Sequence, residues 1–300
     1  MYYAEPIYRP PSEADSLLVQ ATIGCSSAAR GHCYFCGSWV IDRVIPQKKF
    51  RVRPVREILD DLEEARRTLG GRVGRIFFLD SNALVMRTQP LVEITERAYA
   101  LFPSLERVSV YACAGDILRK TPEELKRVRE AGLKLLYVGL ESGNEKVLEL
   151  HNKGSTVEEN VQACSKAMDA GLEVSITLIL GLGGKKLSRQ HAADTGRAIS
   201  RIQPTYAGAL TLMVVPGTPV EDWISQGQFE MLTQEEILEE LRQVLEHTDV
   251  QRKVVFRTNH ASNYLPLRGD LPRDKERLIA TIRKAQDQQV PLRPDYLRGL

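Results

Sequence analysis

Residues 17–36 read LLVQATIGCSSAARGHCYFC and place three cysteines, Cys25, Cys33 and Cys36, directly after an apolar segment. Segment 17–23 is predicted to be a buried β-strand, so the cysteines follow its carboxyl end. That is the end at which βα barrels place their chemistry. Three thiols on one short loop suit an iron–sulfur cluster or a zinc ion. A four-iron cluster held by three thiolates leaves one iron open for a small molecule.

Short apolar segments alternate with amphipathic ones along most of the chain. Strands are predicted at 17–23, 75–80, 107–113, 134–140, 173–180 and 206–214, and helices between them at 54–69, 90–101, 121–131, 156–170 and 187–202. Strands that are apolar throughout are typical of a parallel sheet buried on both faces. The sequence therefore predicts the α/β class, with a partial (β/α)6 TIM-like barrel over residues 1–220. A doubly wound open sheet is the alternative.

The last 80 residues follow a different pattern. A helix at 233–247, a strand at 253–257 and a helix at 272–286 predict a C-terminal α/β extension over residues 221–300 that completes the substrate side. The polar segment 256–269 is a candidate pocket lining. Its His260 is either part of that lining or a structural histidine.

Composition excludes several classes of protein. Lys and Arg total 41 and Asp and Glu total 39, a net charge of +2, which rules out a strongly basic nucleic-acid coat protein. A hydrophobic fraction of 43% excludes a disordered chain. No apolar run reaches the ~20 residues of a membrane span, and the amino terminus lacks the apolar region of a secretory signal. We therefore expect a cytoplasmic protein without a membrane partner. Five cysteines, three of them clustered, indicate metal ligation before disulfides.

The cysteine loop resembles that of the radical S-adenosylmethionine (radical SAM) superfamily. In that family three cysteines follow the first strand of a partial βα barrel, and an aromatic residue, here Phe35, precedes the last cysteine. The family spacing is C-x3-C-x2-C, whereas this chain has C-x7-C-x2-C. A loop four residues longer still closes on one cluster at small entropic cost. The resemblance implies that Cys25, Cys33 and Cys36 bind a 4Fe–4S cluster.

Two other strand ends are similar to one branch of the superfamily, which contains coproporphyrinogen dehydrogenase, the Elongator catalytic subunit and methylthiotransferases. These are the run Gly-Leu-Glu-Ser-Gly at 139–143 and the run Pro-Gly-Thr-Pro at 216–219. The resemblance implies a S-adenosylmethionine site at the strand ends. Its candidate residues are Phe35, Asp80, Ser81, Asn82, Glu141, Ser142, Thr177, Gly181 and Arg189.

The candidate roles follow from side-chain chemistry. Carboxylate, hydroxyl and carbonyl oxygens at 80–82 can hold the methionine ammonium group, and Glu141 can accept hydrogen bonds from ribose hydroxyls. Glycines such as Gly181 permit close approach of the backbone to the adenine. Arg189 can meet the methionine carboxylate. Structural alternatives remain open: a capped turn at 80–82, a helix cap at Ser142 and a surface position for Arg189.

By the resemblance, the cluster cleaves S-adenosylmethionine to a 5′-deoxyadenosyl radical that abstracts hydrogen from an unidentified substrate. The reaction needs a low-potential electron donor of the ferredoxin or flavodoxin type. One alternative is a zinc-binding adaptor protein in which His32 joins the three cysteines. Another is an RNA-modifying radical enzyme that uses the basic tail. From residue 251 on, this tail contains 11 Lys and Arg residues and only 5 Asp and Glu residues. A porphyrin-handling role is a third alternative. Coproporphyrinogen dehydrogenase, however, has a further cysteine after the three, and Ser38 occupies that place in this chain.

Overall fold

The computed structural model describes residues 1–299, which form ten strands and eleven helices of α type. The strands are β1 (Leu17–Gln20), β2 (Thr22–Ile23), β3 (Arg51–Val52), β4 (Arg75–Leu79), β5 (Arg107–Ala112), β6 (Leu133–Glu141), β7 (Glu173–Leu180), β8 (Tyr206–Thr211), β9 (Val254–Arg257) and β10 (Arg268–Leu271). The helices are α1 (Ser38–Val44), α2 (Val55–Leu69), α3 (Thr88–Leu101), α4 (Ala114–Arg119), α5 (Pro122–Glu130), α6 (Glu145–Leu150), α7 (Val157–Asp169), α8 (Gly184–Ile202), α9 (Pro219–Ser225), α10 (Gln234–Glu246) and α11 (Lys275–Gln286).

Eight of the strands form one mostly parallel sheet in the order β1-β4-β5-β6-β7-β8-β9-β10. Only β10 is antiparallel to its neighbour, and β2 pairs with β3 separately. The predicted α/β class with a partial (β/α)6 arrangement is confirmed. The predicted strand at 17–23 is interrupted at Ala21, and the short elements α1, α4, α6, α9 and β10 were not predicted. Such short segments carry too few residues for a periodic apolar pattern to be recognised.

The chain divides into two compact units. The first comprises residues 1–32, 38–138 and 162–174, and the second comprises 33–37, 139–161 and 175 onward. The predicted boundary at residue 220 stays a prediction.

The first unit is built on β1, β4, β5 and most of β6, which pair in parallel register. Its core contains the fully buried rings of Phe77 and Phe78, and α2 packs against α3. The predicted start of α5 is confirmed in detail. Thr121 Oγ1 accepts a hydrogen bond from the N–H of Glu124, and the Glu124 carboxylate accepts one from the N–H of Thr121, which completes a capping box.

The second unit carries β7, β8, β9 and β10 in neighbouring positions. Helix α10 packs against α8 and α11, and α11 packs on β10. Helix α10 presents the apolar stripe Ile237, Leu241 and Val244 to this core, all at most 4% exposed. Within residues 1–299 every helix is too short or too polar to cross a lipid bilayer.

Candidate functional site

Cys25 follows β2 where the backbone turns sharply. Gly24 has a φ of 70°, and a Cβ there would lie 2.1 Å from the Lys48 carbonyl oxygen, so the position requires glycine. Residues Ser26–Arg30 form a 3₁₀ helix that ends at Gly31, whose φ is 88°. The longer gap of the C-x7-C spacing is therefore filled by a short helix rather than by an open loop.

The Cys25 thiol has polar neighbours. Its Sγ lies 3.0 Å from Ser27 Oγ, which lies 3.2 Å from His32 Nδ1. Burial by itself raises the pKa of this thiol, but hydrogen bonds with His32 and Ser27 outweigh burial, so the pKa is lowered. Lowering the pKa favours the thiolate, which is the form that binds metals.

His32 lies between two polar side chains. Its Nδ1 faces Ser27, and its Nε2 lies 3.3 Å from Asp42 Oδ2. The hydrogen bond with Cys25 is the main reason why the pKa of His32 is raised. The ring therefore supports the Cys25 thiolate from within the protein, a role that the sequence did not reveal.

Asp80 and Asn82 follow β4 and hold the residues on either side of Cys25. Asp80 Oδ2 accepts a hydrogen bond from the N–H of Gly24 at 3.3 Å, and Asn82 Nδ2 donates one to Ser26 Oγ at 2.8 Å. Both side chains are buried, yet Asp80 Oδ1 and Asn82 Oδ1 have no hydrogen-bond partner within residues 1–299. Buried acceptors are normally paired, so two unpaired oxygens beside the cysteine fit a donor-rich group such as an ammonium ion.

The charge of Asp80 is balanced by a buried lysine. Lys48 forms an ion pair with Asp80 and also donates to the Ala4 carbonyl oxygen at 3.0 Å. Burial raises the pKa of Asp80, whereas the ion pair with Lys48 acts in the opposite direction. Together, Cys25, Asp80 and Ser81 line one small cavity. Lys48 was missed because nothing in the sequence distinguishes it from exposed Lys49.

Cys33 and Cys36 lie on a tight turn in the second unit. The N–H of Cys36 donates to the Cys33 carbonyl oxygen at 3.1 Å, and the N–H of Tyr34 donates to the His151 carbonyl oxygen at 3.0 Å. Phe35 packs against an apolar cluster and meets the His151 ring edge-on at 5.6 Å between centroids. Phe35 therefore anchors the turn in the core of this unit.

His151 lies under this turn and was not predicted. Its Nε2 bonds the Leu182 carbonyl oxygen at 2.8 Å, which makes Nε2 the donor. Trp223 and Phe229 surround the ring together with Phe35. Burial lowers the pKa of His151 to about 4, so the ring is neutral at neutral pH.

Glu141 ends β6, Ser142 follows it, and the two side chains have different partners. Glu141 has a φ of 63° and pairs with Lys153 at 2.9 Å. Gly139 makes room for this carboxylate, since a Cβ there would lie 2.0 Å from Glu141 Oε1. Ser142 is fully buried, and its Oγ lies 2.8 Å from His191 Nδ1. The cap of α6 is Asn144, not Ser142.

Gly181 directly follows β7 and is fixed by a buried glutamate of α10. The N–H of Gly181 donates to Glu240 Oε1 at 2.6 Å, and the hydroxyl of Ser188 donates to Oε2. His191 Nε2 lies 3.5 Å from Glu240 Oε1. Glu240 and His191 were not predicted, although Glu240 interrupts the apolar stripe of α10 and that interruption is a readable signal.

The remaining predicted residues lie apart from these contacts. Thr177 is half-buried on β7, opposite Gly208 of β8, and Arg189 is exposed on α8. His260 Nδ1 lies 2.9 Å from Ser262 Oγ, and that hydroxyl accepts a hydrogen bond from the N–H of Thr211. Segment 256–269 is thereby tied to the carboxyl end of β8. Cys164 is fully buried, as predicted, and burial raises its pKa to about 12.

The donor chemistry fits an iron–sulfur cluster. Cys25 has a lowered pKa, and Cys33 and Cys36 share a hydrogen-bonded turn. In the part of the chain that the structure describes, no three His, Cys, Asp or Glu side chains are grouped to hold a single metal ion. Such a group surrounds one ion, whereas the thiolate ligands of a four-iron cluster bind separate irons.

Curated proteins with similar sequences match much of the length of this chain. An uncharacterised protein of Methanocaldococcus jannaschii is 23% identical over 231 residues, which are 76% of this chain and 70% of that protein. The anaerobic magnesium-protoporphyrin IX monomethyl ester cyclase of Cereibacter sphaeroides is 26% identical over 189 residues. That match covers 63% of this chain but only 29% of the cyclase.

Solved structures share the fold. Coproporphyrinogen III oxidase of Escherichia coli, a radical SAM enzyme, has a TM-score of 0.55 at 16% identity and is matched over 77% of this chain and 51% of that chain. Methylornithine synthase has a TM-score of 0.53 at 16% identity, over 78% of this chain and 63% of that chain. This chain therefore spans less than two thirds of either structure. The sequence profile of the Radical SAM superfamily matches residues 19–196, more than half of the chain. The chain belongs to the radical SAM superfamily.

Proposed function

We propose that this radical SAM enzyme binds a 4Fe–4S cluster through Cys25, Cys33 and Cys36 and cleaves S-adenosylmethionine reductively. A cluster held by these cysteines would supply the electron for reductive cleavage of the sulfonium–C5′ bond, and the resulting 5′-deoxyadenosyl radical would abstract hydrogen from the substrate. The electron comes from a low-potential donor of the ferredoxin or flavodoxin type. The observation that carries the proposal is the pair Asp80 and Asn82, which bond the neighbours of Cys25 and whose buried Oδ1 atoms have no hydrogen-bond partner among residues 1–299.

Asp80 and Asn82 would each serve two purposes. One polar atom of each side chain holds the backbone or side chain next to Cys25, and the other, Oδ1, accepts from the methionine ammonium group. Ser81, which lines the same cavity, contributes a hydroxyl. The Lys48 ion pair keeps the carboxylate in position before the ligand arrives. Pre-positioned acceptors avoid a reorganisation cost on binding.

The strand ends of the second unit would bind the adenosine. We place Glu141 on the ribose hydroxyls, with Lys153 holding its carboxylate, and the backbone of Gly181 along the adenine. Thr177 offers a hydroxyl on β7, the strand that precedes Gly181. Ser142 acts through His191 rather than on the ligand, because it is fully buried. Arg189 would reach the methionine carboxylate from its exposed place on α8.

Residues 221–300 would complete the substrate side. Segment 256–269 lies at the carboxyl end of β9, and Asn263 Nδ2 donates to the Ala209 carbonyl oxygen at 2.7 Å. Thr211 Oγ1 donates to Asn263 Oδ1 at 2.9 Å. These bonds fix the segment against β8, at the end of the strands where βα folds place substrates.

The test uses protein purified without oxygen and reconstituted with iron and sulfide. Iron and zinc are counted, and 5′-deoxyadenosine is assayed after adding dithionite and S-adenosylmethionine. We expect about four irons per chain and deoxyadenosine formation, both lost in Cys36→Ala.

Cys164→Ala is the matched control, because it removes a buried thiol outside the cysteine loop. Iron content and deoxyadenosine formation should be retained in it. Stoichiometric zinc without deoxyadenosine would refute the proposal and favour the zinc-binding adaptor.

A further inference from the structure

Two arginines lie directly opposite each other on one face of the second unit's sheet. Arg257 ends β9 and Arg268 begins β10, and the antiparallel register pairs them. Side chains of directly opposed residues in antiparallel strands share one face of the sheet. Burial alternates accordingly: Phe256 and Gly269 are buried on one face, whereas Arg257 is half-buried and Arg268 exposed on the other.

Helix α11 covers the opposite face, so it does not screen the arginines. A Cβ on Gly269, the residue after Arg268, would meet Asp274 and Leu278 of that helix region at about 3 Å. The arginine face is continuous with β8 and β7, since Gly208 lies opposite Arg257 and Thr177 lies opposite Gly208.

The space beside Arg257 is open. A Cβ on Gly208 would meet only one atom within 4 Å, the Ile176 carbonyl oxygen at 3.9 Å. One row of residues therefore crosses four strands on this face, in the order Thr177, Gly208, Arg257 and Arg268. It begins at a residue that we propose for S-adenosylmethionine binding and ends at two cationic side chains. Adjacent strands lie ~4.8 Å apart, so the backbones of Thr177 and Arg257 are separated by ~10 Å.

In the part of the chain that the structure describes, neither guanidinium has an acidic partner. Among residues 1–299 no carboxylate oxygen lies within 4.0 Å of Arg257 or Arg268, although most other arginines of α10 and α11 and their flanks form such pairs. Arg257 Nη1 donates to the carbonyl oxygens of Phe256 and Gly269 at 2.8 and 3.1 Å, which fixes the group at the strand end. Asp270, on the same face, is paired with Lys253 and Arg273.

We propose that Arg257 and Arg268 together bind an anionic group of the substrate, a carboxylate or a phosphate. Like charges directly opposite on a sheet destabilise it, and an anion between them converts repulsion into attraction. Guanidinium groups bind both anions through paired hydrogen bonds. The inference rests on the proposed function, since it places a substrate about 10 Å along the row from Thr177.

The test measures the melting temperature of the full, reconstituted chain during titration with inorganic phosphate and, separately, with succinate. Sodium chloride at matched ionic strength corrects for screening. We expect the melting temperature to rise saturably with anion concentration. The affinity for the anion should weaken about tenfold or more in Arg257→Gln and in Arg268→Gln, since each variant loses charge-assisted hydrogen bonds. The anion that binds more tightly identifies the class of the substrate group.

Arg252→Gln is the matched control, because it removes one exposed positive charge just before β9. Its titration should follow that of the unmodified chain. An equal weakening in this control, or no saturable rise beyond chloride, would overturn the proposal.

A second measurement separates a binding role from a structural one. At low salt and without added anion, Arg268→Gln should melt no lower than the unmodified chain, because the substitution removes like-charge repulsion. A clear fall would show that Arg268 stabilises the fold, which contradicts the proposal.

Deoxyadenosine formation without substrate distinguishes this inference from the function it rests on. It should persist in both arginine variants. Deoxyadenosine with no anion binding would refute the arginine site alone. Anion binding with no deoxyadenosine, even in the unmodified chain, would refute the radical function and leave an anion site.

Discussion

Substituting Lys48 by methionine removes the positive charge from the most deeply buried ion pair beside Cys25. Lys48 is 2% exposed and Asp80 is 1% exposed. Methionine keeps the length and apolar character of the lysine stem. The variant therefore tests the ammonium group, with its ion pair to Asp80 and its hydrogen bond to the Ala4 carbonyl oxygen, rather than the packing.

The expected loss follows from what remains around Asp80. Its Oδ2 would keep only two long hydrogen bonds, from the N–H of Gly24 at 3.3 Å and from Gln20 Nε2 at 3.5 Å. Removing one partner of a buried ion pair costs about 3–5 kcal/mol of unfolding free energy. Because neither remaining bond is short, we expect about 4 kcal/mol.

The loss should depend on pH. Burial raises the folded-state pKa of Asp80 above its unfolded value, and removal of Lys48 raises it further. A group with a raised folded-state pKa contributes its full stability below its unfolded pKa, and that contribution is lost as pH rises through the folded-state pKa. The difference between Lys48→Met and the unmodified chain should therefore be largest at neutral pH and shrink toward acid.

Urea unfolding followed by circular dichroism at several pH values measures both effects. Lys49→Met is the control, because Lys49 is exposed, and it should change the unfolding free energy by less than about 0.5 kcal/mol. Adding Asp80→Asn to Lys48→Met should recover most of the loss, since it removes the uncompensated charge. A Lys48→Met loss below about 1 kcal/mol at neutral pH, or one that does not vary with pH, would refute this account of the pair.

Two further substitutions test the two parts of the cysteine loop. Gly24→Ala should reduce reconstituted iron content to a small fraction, because its Cβ would collide with the Lys48 carbonyl oxygen. Gly227→Ala is the control and should retain the iron, because Gly227 has the same φ of 70° and no atom within 4 Å of an added Cβ. Equal iron content in the two variants would contradict the collision. His151→Phe should flatten the acid decline in unfolding free energy. The pKa of His151 falls from 6.5 to about 4 on folding, so its stability is present above pH 6.5 and is lost toward pH 4, a span of about 3 kcal/mol. An unchanged slope of unfolding free energy between those pH values would show that His151 does not titrate as argued.

The sequence predicted the strands best where local pattern and tertiary environment agree. The strand at 173–180 was predicted with its observed bounds, because its apolar residues lie between helix-ending Gly171 and the glycines at 181, 183 and 184. The start of the helix at Thr121 was predicted, because the bonds that cap it join residues only three apart. Elements such as β10 depend on a partner strand 11 residues away, and its sequence Arg-Gly-Asp-Leu carries no strand pattern of its own.

The residues of the candidate site likewise fall into those that local sequence predicted and those that depend on tertiary contacts. Cysteine spacing, strand-end position and family resemblance pointed to Cys25, Asp80 and Asn82, which the structure brings together in the first unit. Lys48 and His32 could not be assigned, because their roles depend on burial and on contacts that spacing does not encode. An isolated basic residue in a polar segment is normally solvated, so its sequence predicts exposure.

Glu240 is a buried charged residue within the apolar stripe of α10, and such a residue indicates a structural role. Leaving a carboxylate unpaired in the core costs several kcal/mol, so a glutamate at this position needs donors nearby. Its donors are the N–H of Gly181 and the hydroxyl of Ser188, with His191 at 3.5 Å. His191 in turn lies 2.8 Å from Ser142 at the end of β6. One buried carboxylate of the C-terminal extension thus fixes the ends of both β6 and β7, the two strands proposed to bind adenosine. Helix α10 therefore supports the strand ends at which we propose that the cofactor binds.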